Sequence, residues 1–320
     1  MNASPGAELG RRLREGDVTA APAVLNLVES RPAQESGEVE ALLHEVAPGA
    51  LGGEAGAHVI GVTGPPGVGK SMLLSELVRA WRERERSVAV LAVDPSSKRS
   101  GGALLGERAR IASDPADRAT FIRSTAAGDR LGGLAPATRA AAQALAAAFD
   151  VVVVETVGVG QSETEVAEVA DTVAVVVQPG SGDVLQFLKS GIMEIPDVLV
   201  VTKADLGTIA QRARRDLVAA LRSIGGRATE VVTVSSVAPV QGFDDLIDAL
   251  DAHRADLDLP ARRLAARRAG AVADFHAEHG DRGLRALGGR RAALRGLEEE
   301  DPALAVPALT RALEARASGA

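Results

Sequence analysis

The chain has 320 residues, a formal net charge of −7 and no cysteine. This charge argues against nucleic-acid binding through bulk electrostatics, and the lack of cysteine excludes disulfides and thiolate metal sites. No apolar run reaches the roughly 18–20 residues of a membrane span. We therefore expect a cytoplasmic protein that binds neither nucleic acid nor membrane, with a core built from Val, Leu, Ile and Ala because only 2% of the residues are aromatic.

The first 56 residues predict a helical extension and a linker. Apolar residues recur at helical spacing between residues 7 and 48, and Pro32 interrupts the pattern. A glycine-rich stretch, residues 47–56, then leads into the first apolar run. The extension resembles a packing layer or lid and indicates no chemistry of its own.

The strongest motif follows this linker. A short apolar run, His58–Thr63, predicts a buried strand, and the next eight residues, Gly64–Ser71, fit the phosphate-loop pattern G-x-x-x-x-G-K-[ST]. Glycines let successive backbone amides point towards phosphate oxygens, and the helix that follows adds partial positive charge. We expect Lys70 to neutralise the β- and γ-phosphates and Ser71 to bind Mg²⁺. The predicted phosphate contacts are Gly64, Pro65, Pro66, Gly67, Val68, Gly69, Lys70, Ser71 and Met72.

Residues 57–254 predict an α/β domain with a mostly parallel sheet and helices on both faces. Apolar runs occur at 88–93, 151–154, 172–177, 198–202 and 231–234, and they alternate with helical patterns around 70–85, 136–148, 183–194, 208–223 and 242–253. Such sheets bind ligands at the carboxyl ends of their strands. Polar residues follow the predicted strands at Asp94, Glu155, Gln178 and Thr202–Asp205.

Thr202-Lys-Ala-Asp205 has the features of a guanine-binding loop. A carboxylate at Asp205 can accept both the N1 proton and the amino protons of guanine, a donor pair that adenine lacks. The aliphatic stem of Lys203 can lie along the base or ribose. The loop after the next strand is expected to offer its backbone amides to the guanine carbonyl. The predicted base contacts are Thr202, Lys203, Asp205, Leu206, Ser235, Ser236 and Val237.

Two acids at strand ends predict a magnesium site and a hydrolytic centre. Asp94 can reach Mg²⁺ directly or through water, and Glu155 takes the position of the acid that holds the metal in phosphate-loop enzymes. The amide of Gly158 can contact a γ-phosphate. Gln161 either orients the attacking water or is an ordinary polar loop residue.

Residues 255–320 predict two or three helices rich in arginine. These arginines form either a solvated helix face or a surface for a second subunit or another protein. His276 and His279 have the spacing of a metal pair, but this spacing is more typical of surface residues.

Several strings together resemble the MeaB/ArgK family of P-loop GTPases. They are Val93–Ser97, Gly101–Arg108, Glu155–Ser162, Gly182–Gln186 and Lys189–Ile195. The resemblance implies binding of GTP and GDP with Mg²⁺. It also implies a homodimer assembled through the C-terminal helices. It further implies a chaperone of an adenosylcobalamin-dependent acyl-CoA mutase, typically methylmalonyl-CoA mutase.

The resemblance also implies roles for single residues. Together with the residue-based predictions, this gives a predicted catalytic set of Lys70, Asp94, Glu107, Glu155 and Gln161. The predicted metal ligands are Ser71, Asp94, Glu107 and Glu155. Glu107 stands where the family has Asp, and Met72 where it usually has Thr, so the hydrolysis machinery departs from the family pattern. The segment near 180–189 resembles the family's additional switch.

Three other functions remain open. A metal-insertion GTPase for nickel or zinc is disfavoured because cysteine is absent and the five histidines are scattered. A kinase, including the family's older description as an arginine/ornithine transport ATPase or kinase, is disfavoured by the guanine preference expected of Asp205. A nucleotide-binding subunit without useful hydrolysis also fits the sequence.

Overall fold

The protein is described by a computed structural model that covers residues 4–30, 37–94, 111–126, 136–156, 166–180, 196–224 and 229–319. The chain divides into two compact units. Met1–Ala57, Pro136–Phe149 and Asp258–Ala320 form the helical unit, and His58–Ala135 and Asp150–Leu257 form the sheet unit.

The described residues form strands and helices in the following order. The strands are β1 (His58–Thr63), β2 (Val88–Asp94), β3 (Thr120–Ala126), β4 (Val151–Thr156), β5 (Thr172–Val177), β6 (Val198–Val201) and β7 (Glu230–Thr233). The helices are α1 (Pro5–Arg14), α2 (Ala21–Glu29), α3 (Glu38–Glu45), α4 (Pro48–Leu51), α5 (Lys70–Glu83), α6 (Pro136–Leu145), α7 (Thr208–Ile224), α8 (Phe243–Ala255), α9 (Leu259–Ala286), α10 (Arg290–Gly296) and α11 (Val306–Ser318).

The sheet has the strand order β3-β2-β4-β1-β5-β6-β7, and every adjacent pair is parallel. This confirms the predicted α/β fold. Strand β1 lies between β4 and β5, with Val62 beside Glu155 and Thr63 beside Val175. Strands β1, β4, β5 and β6 are buried along their whole length, as continuous apolar runs require. The carboxyl ends of all seven strands therefore meet at one edge.

Strand β3 was not predicted from the sequence. It carries Arg123, Ser124 and Thr125, and among the described strands it pairs with β2 alone, at the edge of the sheet. An edge strand is less enclosed than an inner one, so its sequence need not be a continuous apolar run. The predicted helix at 183–194 lies outside the described residues.

One apolar cluster holds α5 and α8 against the sheet. Leu73, Leu77 and Trp81 recur on one face of α5 and are at most 2% exposed. Leu246 and Leu250 of α8 join the same cluster. Burying a side chain of this size contributes roughly 1.5–3 kcal/mol, so the cluster fixes the helix that follows the phosphate loop.

The helical unit has its own core, formed by residues of α9, α10 and α11 with Leu297. Helix α9 is interrupted at Gly280, whose φ is +61° and ψ −166°. No helix in the described part of the chain is both long enough and apolar enough to span a membrane.

Two of the C-terminal arginines differ from both sequence-based interpretations, because they point inward. Arg263 donates to the carbonyl oxygens of Ala55 and Ala57 at 2.6 and 2.7 Å. Arg267 is only 8% exposed and binds both carboxylate oxygens of Glu54 at 2.8 and 2.9 Å. These arginines fix the linker that precedes β1.

Candidate functional site

The phosphate-loop residues connect the end of β1 to the start of α5. Gly64 has a φ of +144°, and a Cβ there would lie 2.2 Å from the Val176 carbonyl oxygen of β5. Gly69 has a φ of +100° and precedes the first residue of α5. Both positions therefore favour glycine, and they give the tight path that brings backbone amides into a concave loop. Pro66 and Gly67 are exposed, whereas Val68 is buried in the sheet core.

Lys70 crosses this loop. Its side chain is 7% exposed, and Nζ donates to the carbonyl oxygens of Gly64 at 2.7 Å and Pro65 at 3.2 Å. Ser71 follows in the first turn of α5 and is half-buried, whereas Met72 is 53% exposed. A helix N-terminus and an ammonium group at one loop favour an anionic ligand such as a polyphosphate.

Glu155 lies beside the strand that leads into this loop. It is 1% exposed and is flanked by Val62 of β1 and Ala92 of β2. Asp94 is the last residue of β2, so its backbone reaches the same edge of the sheet; its side chain is not part of the described structure. A buried carboxylate and the Ser71 hydroxyl are oxygen donors of the kind that Mg²⁺ prefers.

The loop after β6 is joined directly to the phosphate loop. Thr202 is 5% exposed, and its hydroxyl lies 2.8 Å from the Val68 carbonyl oxygen and 3.2 Å from that of Val177. The Thr202 amide also donates to the Val177 carbonyl. Residues 134 positions apart are thus connected by one buried hydrogen bond, a connection that the sequence did not indicate.

The side chains of Lys203 and Asp205 are both held by neighbours. Lys203 has a left-handed backbone with a φ of +57°, and its Nζ donates to Oε1 of Gln178, the residue after β5. Asp205 accepts a hydrogen bond from the Ser235 hydroxyl at 3.0 Å. Gln178 was not among the predicted site residues, although its position as a polar residue at a strand end was a usable signal.

The loop after β7 converges with the loop that holds Asp205. The Ala204 amide donates to the Val234 carbonyl at 2.9 Å, and the Ser235 hydroxyl lies 3.0 Å from the Val237 carbonyl oxygen. Leu206 and Val237 are 44% and 53% exposed, and Ser236 is half-buried. The structure therefore brings the predicted base-contact residues together at the same edge as the phosphate loop.

Part of the predicted site lies outside the described residues, namely Glu107, Gly158, Gln161 and the switch segment beyond Gly180. The histidine pair in α9 does not converge on one site. His276 Nε2 lies 3.0 Å from Asp281, whereas His279 Nε2 lies 3.4 Å from Glu314 of α11.

Comparison with known proteins identifies the family. The family described as "Methylmalonyl Co-A mutase-associated GTPase MeaB" matches residues 21–281. A Mycobacterium bovis protein named "Probable GTPase" is 41% identical over 254 residues, covering 77% of this chain and 74% of that protein. The Mus musculus protein "Methylmalonic aciduria type A homolog, mitochondrial" is 35% identical over 219 residues, covering 65% and 52%.

A solved structure titled as an LAO/AO transport system kinase has the same fold. Its TM-score is 0.64 at 28% identity, and the match covers 98% of both chains. The family match spans most of this chain, including the phosphate loop and the loop that carries Asp205. The chain therefore belongs to the MeaB family, and the protein is a GTPase.

Proposed function

We propose that this GTPase is a switch that assists an adenosylcobalamin-dependent acyl-CoA mutase, such as methylmalonyl-CoA mutase, in assembly, cobalamin loading and protection. The observation that carries the proposal is the buried Thr202–Val68 hydrogen bond in a chain of this family. Because this bond joins the base loop to the phosphate loop, a nucleotide that binds both loops would affect them together. The family description and the name of the mouse relative support the choice of partner.

In this proposal the nucleotide is held at both ends. Lys70 balances phosphate charge, and the amides at the start of α5 bind phosphate oxygens. The Asp205 carboxylate accepts from the N1–H and amino group of guanine, and its hydrogen bond to Ser235 keeps it oriented. Gln178 holds Lys203 so that its stem can lie along the base.

The proposed ligands of Mg²⁺ are Ser71, Asp94, Glu107 and Glu155. Gln161 is the candidate for orienting the water that attacks the γ-phosphate. The described members fit, because they supply hard oxygen donors around the strand end that leads into the phosphate loop. When bound, the metal neutralises phosphate charge. Glu155 contributes a fixed negative charge whose surroundings exclude bulk water, since the side chain is 1% exposed.

The Glu155→Gln variant tests the hydrolytic role. We expect magnesium-dependent GTP turnover to fall by about 10²-fold, because one carboxylate that would hold the metal is lost, while binding of GDP without metal is retained. Glu230→Gln, at an exposed position of β7, is the matched control and should turn over GTP normally. Unchanged turnover in Glu155→Gln would contradict the role.

The partner is tested with purified mutase and this protein. We expect co-elution that differs between GDP and a non-hydrolysable GTP analogue. No binding in either state would refute the chaperone function and leave the GTPase. We also propose a homodimer formed through the C-terminal helices, and light scattering of the purified protein measures its mass directly.

A kinase function is the second candidate, because one solved structure with this fold is titled as a transport system kinase. The Asp205–Ser235 arrangement favours guanine over adenine. Calorimetry with GDP and ADP separates the two, since tighter binding of ADP would favour the kinase.

A further inference from the structure

Two threonines stand opposite each other at the carboxyl edge of the sheet. Thr63 is the last residue of β1 and directly precedes the phosphate loop. Thr156 is the last residue of β4 and directly follows Glu155. Since Val62 lies beside Glu155, the two threonines occupy the next position of the same register. We call Thr63 and Thr156 the threonine pair.

The threonine pair lies on the face of the sheet that points away from α5. Side chains alternate between the two faces along a strand. Val62 belongs to the apolar cluster that holds α5 against the sheet, so Thr63 lies on the other face. Val153 belongs to the same cluster, so Thr156, three residues further along β4, also lies on the other face. The two hydroxyls therefore share one side of the sheet.

The ladder between β1 and β4 ends just before the threonine pair. Strand β1 pairs with β5 as far as Thr63, and β2 pairs with β4 as far as Thr156. The pairing of β1 with β4 ends one residue earlier, at Val62 and Glu155. Each threonine is thus held in the sheet by its outer neighbour, and the pair itself is the first position beyond the β1–β4 ladder.

Both hydroxyls are buried without a protein partner. Thr63 is 0% exposed and Thr156 is 1% exposed, and among the described residues no hydrogen bond reaches either hydroxyl. A hydroxyl that is buried without a hydrogen bond costs free energy. The residues beside the pair in the same row are Val175 and Val93, and valine has the shape of threonine without this cost. Threonine at both positions therefore indicates that the hydroxyls bind something.

A single water molecule can span the two hydroxyls. Adjacent strands lie about 4.8 Å apart and an O–H···O bond is about 2.8 Å long, so one water can bond to two oxygens up to about 5.6 Å apart. A threonine hydroxyl both donates and accepts, so either side chain can bond to a water in either direction. Both side chains are too enclosed for a nucleotide to contact them, which leaves water as the bound molecule.

Resting on the metal site proposed above, we propose that Thr63 and Thr156 are positioning residues for GTP hydrolysis, and that their hydroxyls hold one buried water. This water continues the β1–β4 ladder by one position. On one side of it, the residue after Thr63 is Gly64, whose carbonyl oxygen accepts from Lys70 Nζ. On the other side, the residue before Thr156 is Glu155. The water therefore fixes the spacing between the phosphate-binding and the metal-binding groups.

The test is steady-state GTP turnover in the presence of Mg²⁺. Thr63→Val and Thr156→Val each keep the side-chain shape and remove one hydroxyl. We expect kcat to fall about tenfold in either variant, less than the about 10²-fold that a 1 Å misplacement can cost. KM should stay within about twofold, because the groups that bind the nucleotide are all retained. Thr63→Ser and Thr156→Ser keep the hydroxyl and should recover most of the lost kcat.

A shared water makes the two substitutions non-additive. Removing either hydroxyl releases the water, so the double variant with valine at both positions should have the kcat of the single variants. Two hydroxyls that act independently would instead give a loss of about 10²-fold in the double variant. Thr310→Val, which removes a hydroxyl bonded within α11, is the matched control and should have the kcat of the wild type.

Two measurements on the nucleotide-free protein separate positioning from folding. In crystal structures we expect a water bonded to both hydroxyls in the wild type, and no water between residues 63 and 156 in the double variant. The double variant should unfold at the urea midpoint of the wild type or above it, because the polar groups and their water are removed together. A merely structural role would lower the urea midpoint together with kcat.

These outcomes also separate the inference from the proposed metal site. If GTP turnover of the wild type does not depend on Mg²⁺, the metal site is wrong, and the crystal structures still decide whether the threonine pair holds a water. Wild-type kcat in both valine variants, multiplied losses in the double variant, or no water between the two hydroxyls would each overturn the inference.

Discussion

Replacing Thr202 with valine tests whether the base loop and the phosphate loop work as one unit. Valine has nearly the shape of threonine and removes only the hydroxyl that lies 2.8 Å from the Val68 carbonyl oxygen. The Val177 carbonyl oxygen still accepts a hydrogen bond from the backbone amide of residue 202, whereas the Val68 carbonyl oxygen loses its hydrogen bond from this residue. Because Val68 is 2% exposed, water does not readily replace the missing donor.

The size of the effect follows from this burial. A buried acceptor that loses its donor costs about 1–3 kcal/mol, and each 1.4 kcal/mol is a factor of about ten in affinity. If the loss falls on the nucleotide-binding conformation, GDP should bind about tenfold more weakly. Pyrophosphate, which has no base, should also bind about tenfold more weakly, because the Thr202–Val68 hydrogen bond supports the phosphate loop.

Calorimetry with GDP and with pyrophosphate measures both effects. Thr202→Ser keeps the hydroxyl and should stay within about twofold of the wild type, and Thr310→Val controls for loss of a threonine hydroxyl elsewhere. If Thr202→Val weakens GDP but leaves pyrophosphate binding unchanged, the hydroxyl acts on the base and not on the phosphate loop.

Three further predictions concern charge. Lys70→Met should weaken GTP binding by at least about 10²-fold in a nucleotide-exchange assay, because a buried phosphate partner is lost. Asp205→Asn should weaken the binding of GDP by a similar factor but strengthen the binding of xanthosine diphosphate, since an amide can donate to the xanthine 2-oxygen. Unchanged affinity for xanthosine diphosphate would contradict the base contact. The hydrogen bond from Arg82 lowers the pKa of Asp117, so this stabilisation is present above about pH 4 and is lost as the pH falls through the lower folded-state value. Arg82→Gln should therefore lower the free energy of unfolding, measured by urea denaturation at neutral pH, by up to about 1 kcal/mol. In acid its free energy of unfolding should approach that of the wild type, and a constant difference at all pH values would be evidence against this ion pair.

The carboxyl edge of the sheet could be predicted because its residues follow a motif and a topology rule. The G-x-x-x-x-G-K-[ST] pattern placed Lys70 and Ser71, and the parallel arrangement placed Glu155 and Asp205 at the same edge. The Thr202–Val68 bond was not predictable in this way. It depends on the three-dimensional path of two loops, and T-K-x-D carries no sign of where its threonine hydroxyl points.

The contacts at the amino ends of the strands, which we call the amino edge of the sheet, were not predicted although the sequence carried a signal for them. An aspartate stands directly before each of β4, β5 and β6, at Asp150, Asp171 and Asp197. Each carboxylate accepts a backbone amide from a neighbouring segment of the sheet: Asp150 from Ser87, Asp171 from Val59 and Asp197 from Val173, at 2.7 to 2.9 Å. In the sequence alone, an aspartate before an apolar run is equally typical of a turn, and the amide that it receives depends on the strand order.

The two edges are not independent, because the same strands connect them. Strand β5 is held at its start by Thr172 and by the Asp197–Val173 contact. At its other end, the Val177 carbonyl receives the amide of the base loop, and the next residue, Gln178, binds the lysine of that loop. A parallel strand of six residues has little freedom to change its length, so its position at the amino edge sets where its carboxyl end meets the nucleotide loops. The contacts of Thr172 and Asp197 therefore fix one end of the strand whose other end, roughly 20 Å away, meets the loop that carries Thr202 and Lys203.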